Sequence, residues 1–555
     1  MEKCYVKLLE SRARMENKKK LNFYKVMEYL FLVVLLFIGG SIVYFNLSDI
    51  RCSLDPDFAN TIYHYMEVIK HGTLMLPDWH HTTSLELDGT MLFALPLYFV
   101  LGNMFKAIGI SNILVMFLYV IVIVRLLKLH SVDKLFIFVT LILVLTPYEY
   151  GMLDYFNMLF YGGACYAIKT IVPILLLLVL SLLTKETYKS RMGKVELVAF
   201  SGAYLYLLFA TTFSTGIFVV LCGIIPIFVW MIFEMFFHGS PEFVLKKKVW
   251  CVWIATGVTF VAGYLLHDKV YTAISRTNMN LTNMGDFADN FDACVRGIFE
   301  LMGAIVVKDV PVLSARGIVF CVKMVLVAAF LVALFFNYFK FDNGDKEQRI
   351  SGLYLKNYLS FMFVWVFMVM FIADMRFPGN PHTEYRYFII GMIPLIMLFG
   401  IQLNALSKVF NEFQKKIAYI VLLILCLIVI GGNHKNVLDE WDRSTYAVEF
   451  TEYVETLDVE SVIFLADPDS AVMCKGIDNE HKYGTYMPAT QSLNLTICSY
   501  YDSAYGYYYD DRHILAAIEG TDLYQCMPAE IASQYVKVDK FKWFDIYFSE
   551  VMMFP

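Results

Sequence analysis

Apolar runs of about 20 residues recur along the chain, separated by short connections rich in Lys and Arg. A helix of that length crosses the ~30 Å hydrocarbon core of a bilayer, and only helices or closed barrels satisfy their backbone there. The pattern predicts an all-α polytopic membrane bundle of about 11 transmembrane helices, near 29–46, 110–127, 134–147, 164–183, 195–211, 217–237, 250–267, 315–337, 358–373, 387–404 and 417–432. A further apolar stretch at 91–108 is left out of the count on charge grounds. If it dips into the outer face without crossing, the connections holding Arg125 and Lys134, Lys185 to Lys194, Lys246 to Lys248, Lys340 to Lys356, and Lys408 to Lys416 all face the cytoplasm. If it crossed, every one of them would be inverted.

Between the first span and that stretch, the period changes. In 55–71 the polar residues Asp57, Asn60, His64, Glu67 and His71 share one helical face, and Phe58, Ile62, Tyr65 and Ile69 lie nearly opposite. This predicts an amphipathic helix on the membrane surface, apolar side toward lipid. Beyond 432 the chain becomes polar and rich in Tyr and Asp. VIFLADPDS reads as a strand closed by an Asp-Pro turn, and YVKVDKFKWFDIYF alternates like a second strand. The expected organisation is a basic cytoplasmic N-terminus (1–28), a transmembrane domain (29–432) with outer-loop surface helices at 55–108, and a small extracytoplasmic α/β domain (433–555).

Composition agrees with the class. Of 555 residues 58% are apolar and 17% charged, and the mean hydropathy is +0.57, against nearer a half and a quarter in a soluble chain. Eight Lys and Arg precede the first run, which lacks a small-residue cleavage site. It reads as an uncleaved signal-anchor with the N-terminus inside. Eleven Cys form no CxxC pair or metal-type cluster, and there is no internal repeat or glycine-rich phosphate loop. Nucleic acid is not an expected partner. Many short Lys-rich loops without eukaryotic sorting signals point to a bacterial plasma membrane.

The candidate chemistry gathers on the outer side. Asp55-Pro56-Asp57 reads as a helix start, with Asp55 as cap and Asp57 in the first turn, where the helix dipole favours a negative charge. Capping alone would account for it; an ionised carboxylate there also suits a general base. His80 and His81, with Asp78 and Trp79, suit sugar stacking and hydroxyl recognition. Glu86 and Asp88 precede the apolar dip. Glu149 and Asp154 lie in the next outer loop, and Lys169 places a charge in the fourth span, which is costly. The tail run SYYDSAYGYYYDD suits a carbohydrate face or an ordinary domain edge. Sequons at Asn46, Asn280 and Asn494 carry no argument.

The first loop resembles that of the GT-C superfamily of membrane glycosyltransferases, such as the protein O-mannosyltransferases and lipid A aminoarabinose transferases. From Asp57 to Gly72 is fifteen residues, from Gly72 to Pro77 is five, and the non-spanning stretch MLFALPLYFVLGNMFKAIGI follows. Phe58 stands where those families have an acidic partner, and the Pro-Pro pair before the apolar stretch is absent. Glu86 or Asp88 could replace the missing carboxylate. The resemblance implies Asp57 as catalytic base. A second echo is PHTEYRYFIIGMIPL, whose Arg386 and Tyr387 sit at the outer end of a late span, with Arg376 one loop away. It implies that Arg386, with Arg376, holds the phosphate of a polyprenyl-phosphate-sugar donor, since a guanidinium binds phosphate bidentately. The acceptor would be a glycan, lipid or protein outside the cytoplasm. A divalent cation stays open; adjacent histidines are poor metal spacing.

Other classes compete. A transporter usually shows matching halves with broken spans and mid-membrane ionisable groups, whereas the polar residues here gather at one face. A non-enzymatic scaffold for envelope assembly is a further alternative. In a polysaccharide polymerase or ligase, arginines of later outer loops such as Arg276 and Arg296 would carry the chemistry.

Overall fold

The computed structural model describes residues 2–74, 76, 79–80, 85, 87–149, 154–237, 244, 246–270, 281–305, 310–338, 353–374, 384–439, 441–494, 500–501 and 512–550. Among these, nine helices are long and apolar enough to cross a membrane: Phe23–Leu47, Met104–Leu129, Ala167–Thr184, Arg191–Thr215, Lys247–Val270, Ala315–Phe336, Leu355–Ile372, Tyr385–Val409 and Glu412–Asp439. Two more expected spans correspond to the shorter apolar helices Lys134–Leu145 and Val220–Phe236. The apolar stretch left out of the span count forms Met91–Leu101, 11 residues ended by Gly102 at φ 64°. At ~1.5 Å per residue that is about half a bilayer core. Helix Ala167–Thr184 is buried along its whole length and stands at the centre of the bundle.

The helix over 55–71 forms as its sequence dictates. Asp55 caps it by accepting the Phe58 N–H at 2.9 Å, Pro56 takes the first helical position, and Gly72 ends it in the left-handed region at φ 64°. Its surroundings differ from expectation, because its apolar face does not meet lipid. Phe58 lies beside Tyr161, with ring centroids 6.5 Å apart, and the Tyr65 hydroxyl accepts the Met91 N–H at 2.8 Å. The polar face is covered too: Asn60, His64 and Glu67 are buried. Trp79 of the same loop stacks on His64 with ring centroids 4.7 Å apart, and the C-terminal domain packs on the helix as well, which no local period could reveal.

Among the described residues that domain holds a six-stranded mixed sheet, in the spatial order Ser492–Asn494 (β4), Lys482–Met487 (β3), Ser461–Leu465 (β2), His513–Ile518 (β6), Phe544–Ser549 (β8) and Val536–Phe541 (β7). β2 runs parallel to β3 and β6, while β4, β7 and β8 join antiparallel. The Asp-Pro after β2 opens a helix, Pro468–Ile477, capped by Asp467. The expected turn is therefore a second Asp-Pro-Asp helix start. The alternating run near the end is a hairpin of two strands, because Lys542 takes φ 50° and turns the chain between β7 and β8. Helix Pro468–Ile477 lies on the first-loop helix at a range that only a glycine permits: a Cβ on Gly476 would stand 2.6 Å from the Ala59 carbonyl oxygen. Beside it, the Lys475 ammonium sits 4.0 Å from the Tyr63 ring centroid. A short β1 (Trp79–His80) pairs with β5 (Tyr500–Tyr501), joining the first loop to the Tyr-rich tail segment.

Candidate active site

The start of the first-loop helix is held from two sides. Asp55 Oδ2 receives Arg443 at 3.1 Å and Asn157 at 3.2 Å, and Arg443 also donates to the carbonyls of Ser53 and Leu54. Asp55 therefore does more than cap. Burial raises its carboxyl from 3.8 to about 6, against the opposing pull of Arg443. Two residues on, Asp57 is half-buried, and its negative charge raises the pKa of Asp55, Cys165, Glu384 and Asp469. Those four come from the helix start, the approach to the central helix, the approach to a late span, and the C-terminal domain.

Cys165 marks where these elements meet. Burial raises its thiol pKa; Lys169 and Arg386 lower it, and Asp88 and Asp57 raise it. All four charges thus lie within electrostatic reach of one side chain. Next to it, Tyr166 packs with its ring centroid 6.1 Å from that of Tyr387, and Phe218 lies 5.4 Å from Tyr387. Arg386 sits 5.6 Å from the Tyr387 ring, and its Nε is 2.8 Å from Glu384 Oε2. The expected Asp57, Asp88, Arg386 and Tyr387 are therefore brought into one region.

Asp88 is fully buried and spoken for. Its carboxylate takes Lys169 at 3.1 Å, Ser214 at 2.9 Å and the hydroxyl of Thr215. This also answers the charge in the fourth span: Lys169 lies in the first turn of the central helix, paired with Asp88 and 4.8 Å from the Tyr166 ring. His80 has its backbone in β1, paired with Tyr500. Its ring, and the whole of His81, Glu86 and Arg376, lie outside the described residues. Glu149 and Asp154 belong to a neighbouring group, where Lys323 contacts Glu149 at 3.4 Å and Tyr385 donates to Asp154 at 3.0 Å. Among the described residues no three His, Cys, Asp or Glu converge as a metal site.

Sequence reasoning missed Glu384 and Arg443. Glu384 stands in the very run that suggested Arg386, TEYRYF, and its charge beside the arginine was the available signal. Arg443 had none, since its partner lies at the other end of the chain.

No protein-family model matches the chain, and no curated protein matches it. Its structure does match a solved one: the crystal structure of ArnT from Cupriavidus metallidurans bound to undecaprenyl phosphate. The match covers 94% of this chain and 98% of that one, at a TM-score of 0.52 and 10% identity.

This chain has an ArnT-like fold.

The likeness covers 94% of the chain, so it takes in the bundle and the C-terminal sheet together, on both sides of the contact between the first-loop helix and helix Pro468–Ile477. Within it, Asp57 opens a helix enclosed by the bundle on one face and by helix Pro468–Ile477 on the other. Arg386 enters from a late span to the same region.

Proposed function

We propose that this protein is an integral-membrane glycosyltransferase that moves a sugar from a polyprenyl-phosphate-linked donor to an acceptor on the outer side of the membrane. What supports the reading is that the charges of a helix-start carboxylate, Asp57, and a mostly buried guanidinium, Arg386, both act on Glu384, which lies 2.8 Å from Arg386, and on Cys165, in a GT-C-like fold. That the solved ArnT is bound to undecaprenyl phosphate supports a lipid-phosphate donor.

The reaction follows from the two groups. Asp57 accepts the proton of an acceptor hydroxyl as its oxygen attacks the anomeric carbon. The bond from that carbon to the phosphate oxygen breaks, and its electron pair leaves with the phosphate. A single displacement inverts the anomeric centre. Arg386 meets the charge that develops on the leaving phosphate, in a partly dry site where such an interaction is strong. Tyr166, Tyr387 and Phe218 supply an aromatic wall. The C-terminal domain, seated on the first-loop helix, positions the acceptor. Arg376 and the His80–His81 segment remain proposed contributors to donor and sugar binding.

Turnover of a panel of undecaprenyl-phosphate-linked sugars, read as release of the carrier phosphate, tests this. Asp57→Asn should lower transfer by roughly 10²–10⁴-fold, the usual cost of a lost general base, in a protein that still inserts and folds. Arg386→Lys should weaken donor use because the bidentate fork is lost. Wild-type turnover by Asp57→Asn would reduce that aspartate to a helix-start charge.

A further inference from the structure

We infer that Glu384 competes with the donor phosphate for the Arg386 guanidinium, so that donor binding is coupled to uptake of a proton by Glu384. The inference rests on Arg386 being the phosphate ligand proposed above.

The geometry of the pair is the starting point. Glu384 Oε2 and Arg386 Nε are 2.8 Å apart, with side chains only 17% and 20% exposed. Among the described residues, neither of those two buried atoms has a properly aligned hydrogen bond. The backbone explains why. Glu384 caps the short turn Tyr385–Phe388, and residues two apart on a helical turn do not face one another. The charges touch without the parallel fork that a carboxylate reaching from another element would make. The donor's phosphodiester brings two free oxygens and can orient them, so it can engage the guanidinium bidentately where Glu384 cannot.

Displaced from Arg386, Glu384 has poor company. Asp57 faces it from the first-loop helix, and burial and Asp57 already raise its pKa while Arg386 lowers it. Asp154, Glu149 and Glu300, from the neighbouring loop and helix Phe287–Leu301, surround the adjoining Tyr385 with negative charge. Lys169 acts on the adjoining Tyr387 but is held by Asp88. Deprived of the guanidinium and set beside a phosphate, the carboxylate takes a proton. Its pKa is higher with donor bound than without. Donor affinity must then fall as pH rises between those two values and level off outside them.

The test uses the purified full-length protein and two probes, undecaprenyl phosphate and a polyprenyl sulfate. The sulfate keeps one charge at every pH used, so any proton taken up on its binding belongs to the protein. Wild-type affinity for the sulfate should fall by up to about tenfold per pH unit within the coupled window, the slope of one linked proton. Glu384→Gln should flatten that slope and tighten binding near pH 8 by roughly tenfold, since a like charge a few ångströms from the anion is gone. Asp57→Asn should keep the slope. Glu384→Ala serves if the glutamine variant does not fold, and the wild-type protein alone gives a third reading. Binding measured in two buffers of different ionisation enthalpy should show about one proton taken up per sulfate. An unchanged slope in either Glu384 variant, weaker binding by them, or no proton uptake by wild type overturns the inference. Wild-type sulfate binding by Arg386→Gln would instead remove the phosphate role of Arg386 itself, the failure of the underlying reading.

Discussion

Arg443 grips Asp55 across 3.1 Å, tying the cap of the first-loop helix to the chain that enters the C-terminal domain. Burial nonetheless wins at this carboxyl, which is raised from 3.8 to about 6. An acid whose folded pKa lies above its unfolded one stabilises the fold fully below the unfolded value, and that contribution is lost as pH rises through the folded one. Thermal stability of the wild type should therefore decline between about pH 4 and pH 6, with at most about 3 kcal/mol at stake. Asp55→Asn caps equally well but does not titrate. A melting series on that variant should lack this decline; an identical pH profile would exclude Asp55 as its source.

Gly476 should tolerate no side chain. An added Cβ would meet the Ala59 carbonyl oxygen at 2.6 Å and the Ala59 Cα and Cβ at 2.8 Å. Backbone atoms cannot swing aside, so Gly476→Ala must separate the two helices. We expect a cost of roughly 1–3 kcal/mol, the usual range for overpacking, together with slower transfer, because Asp57 is two residues from Ala59. Gly431→Ala is the control, having nothing within 4 Å of the new carbon. Equal melting temperatures and turnover in the two variants would mean that the contact is not a tight one.

Asp88 and Lys169 should behave as a unit. Both are buried and 3.1 Å apart. Asp88→Asn leaves the ammonium uncompensated and should cost about 3–5 kcal/mol, while pairing it with Lys169→Met should cost clearly less than the sum of the singles. The measurement is a double-mutant cycle on stability. Additive effects would show that the two charges are not coupled.

Orientation is tested by labelling intact cells with a membrane-impermeant thiol reagent. In a chain stripped of its other cysteines, Cys526 in the C-terminal domain should react, and a cysteine replacing the exposed Lys247 should not. The reverse pattern would invert the proposed topology.

The spans and the first-loop helix were legible because their causes are local. An apolar run of sufficient length forms a helix in a bilayer whatever its neighbours, and Asp55, Pro56 and Gly72 start and stop a helix through their own backbone preferences. The same local reading misjudged the run after Ala466. Asp467 and Pro468 open a helix there, since the residue types that make a turn also make a helix start. It also merged β7 and β8, because one positive φ at Lys542 leaves no mark in an alternating pattern.

The amino-acid sequence alone determined a polytopic helical bundle, a helix opened by Asp57, and a late-span arginine, each encoded within a few neighbouring residues. Only the tertiary structure decided what those groups meet. It laid a helix from the far end of the chain on the first-loop helix, paired Asp55 with Arg443, and put Glu384 under the charges of both Asp57 and Arg386. Hydrophobic burial is non-directional and fixes which segments enter the bundle. Which charges are then trapped together depends on how the helices pack, and that is settled across the whole chain at once.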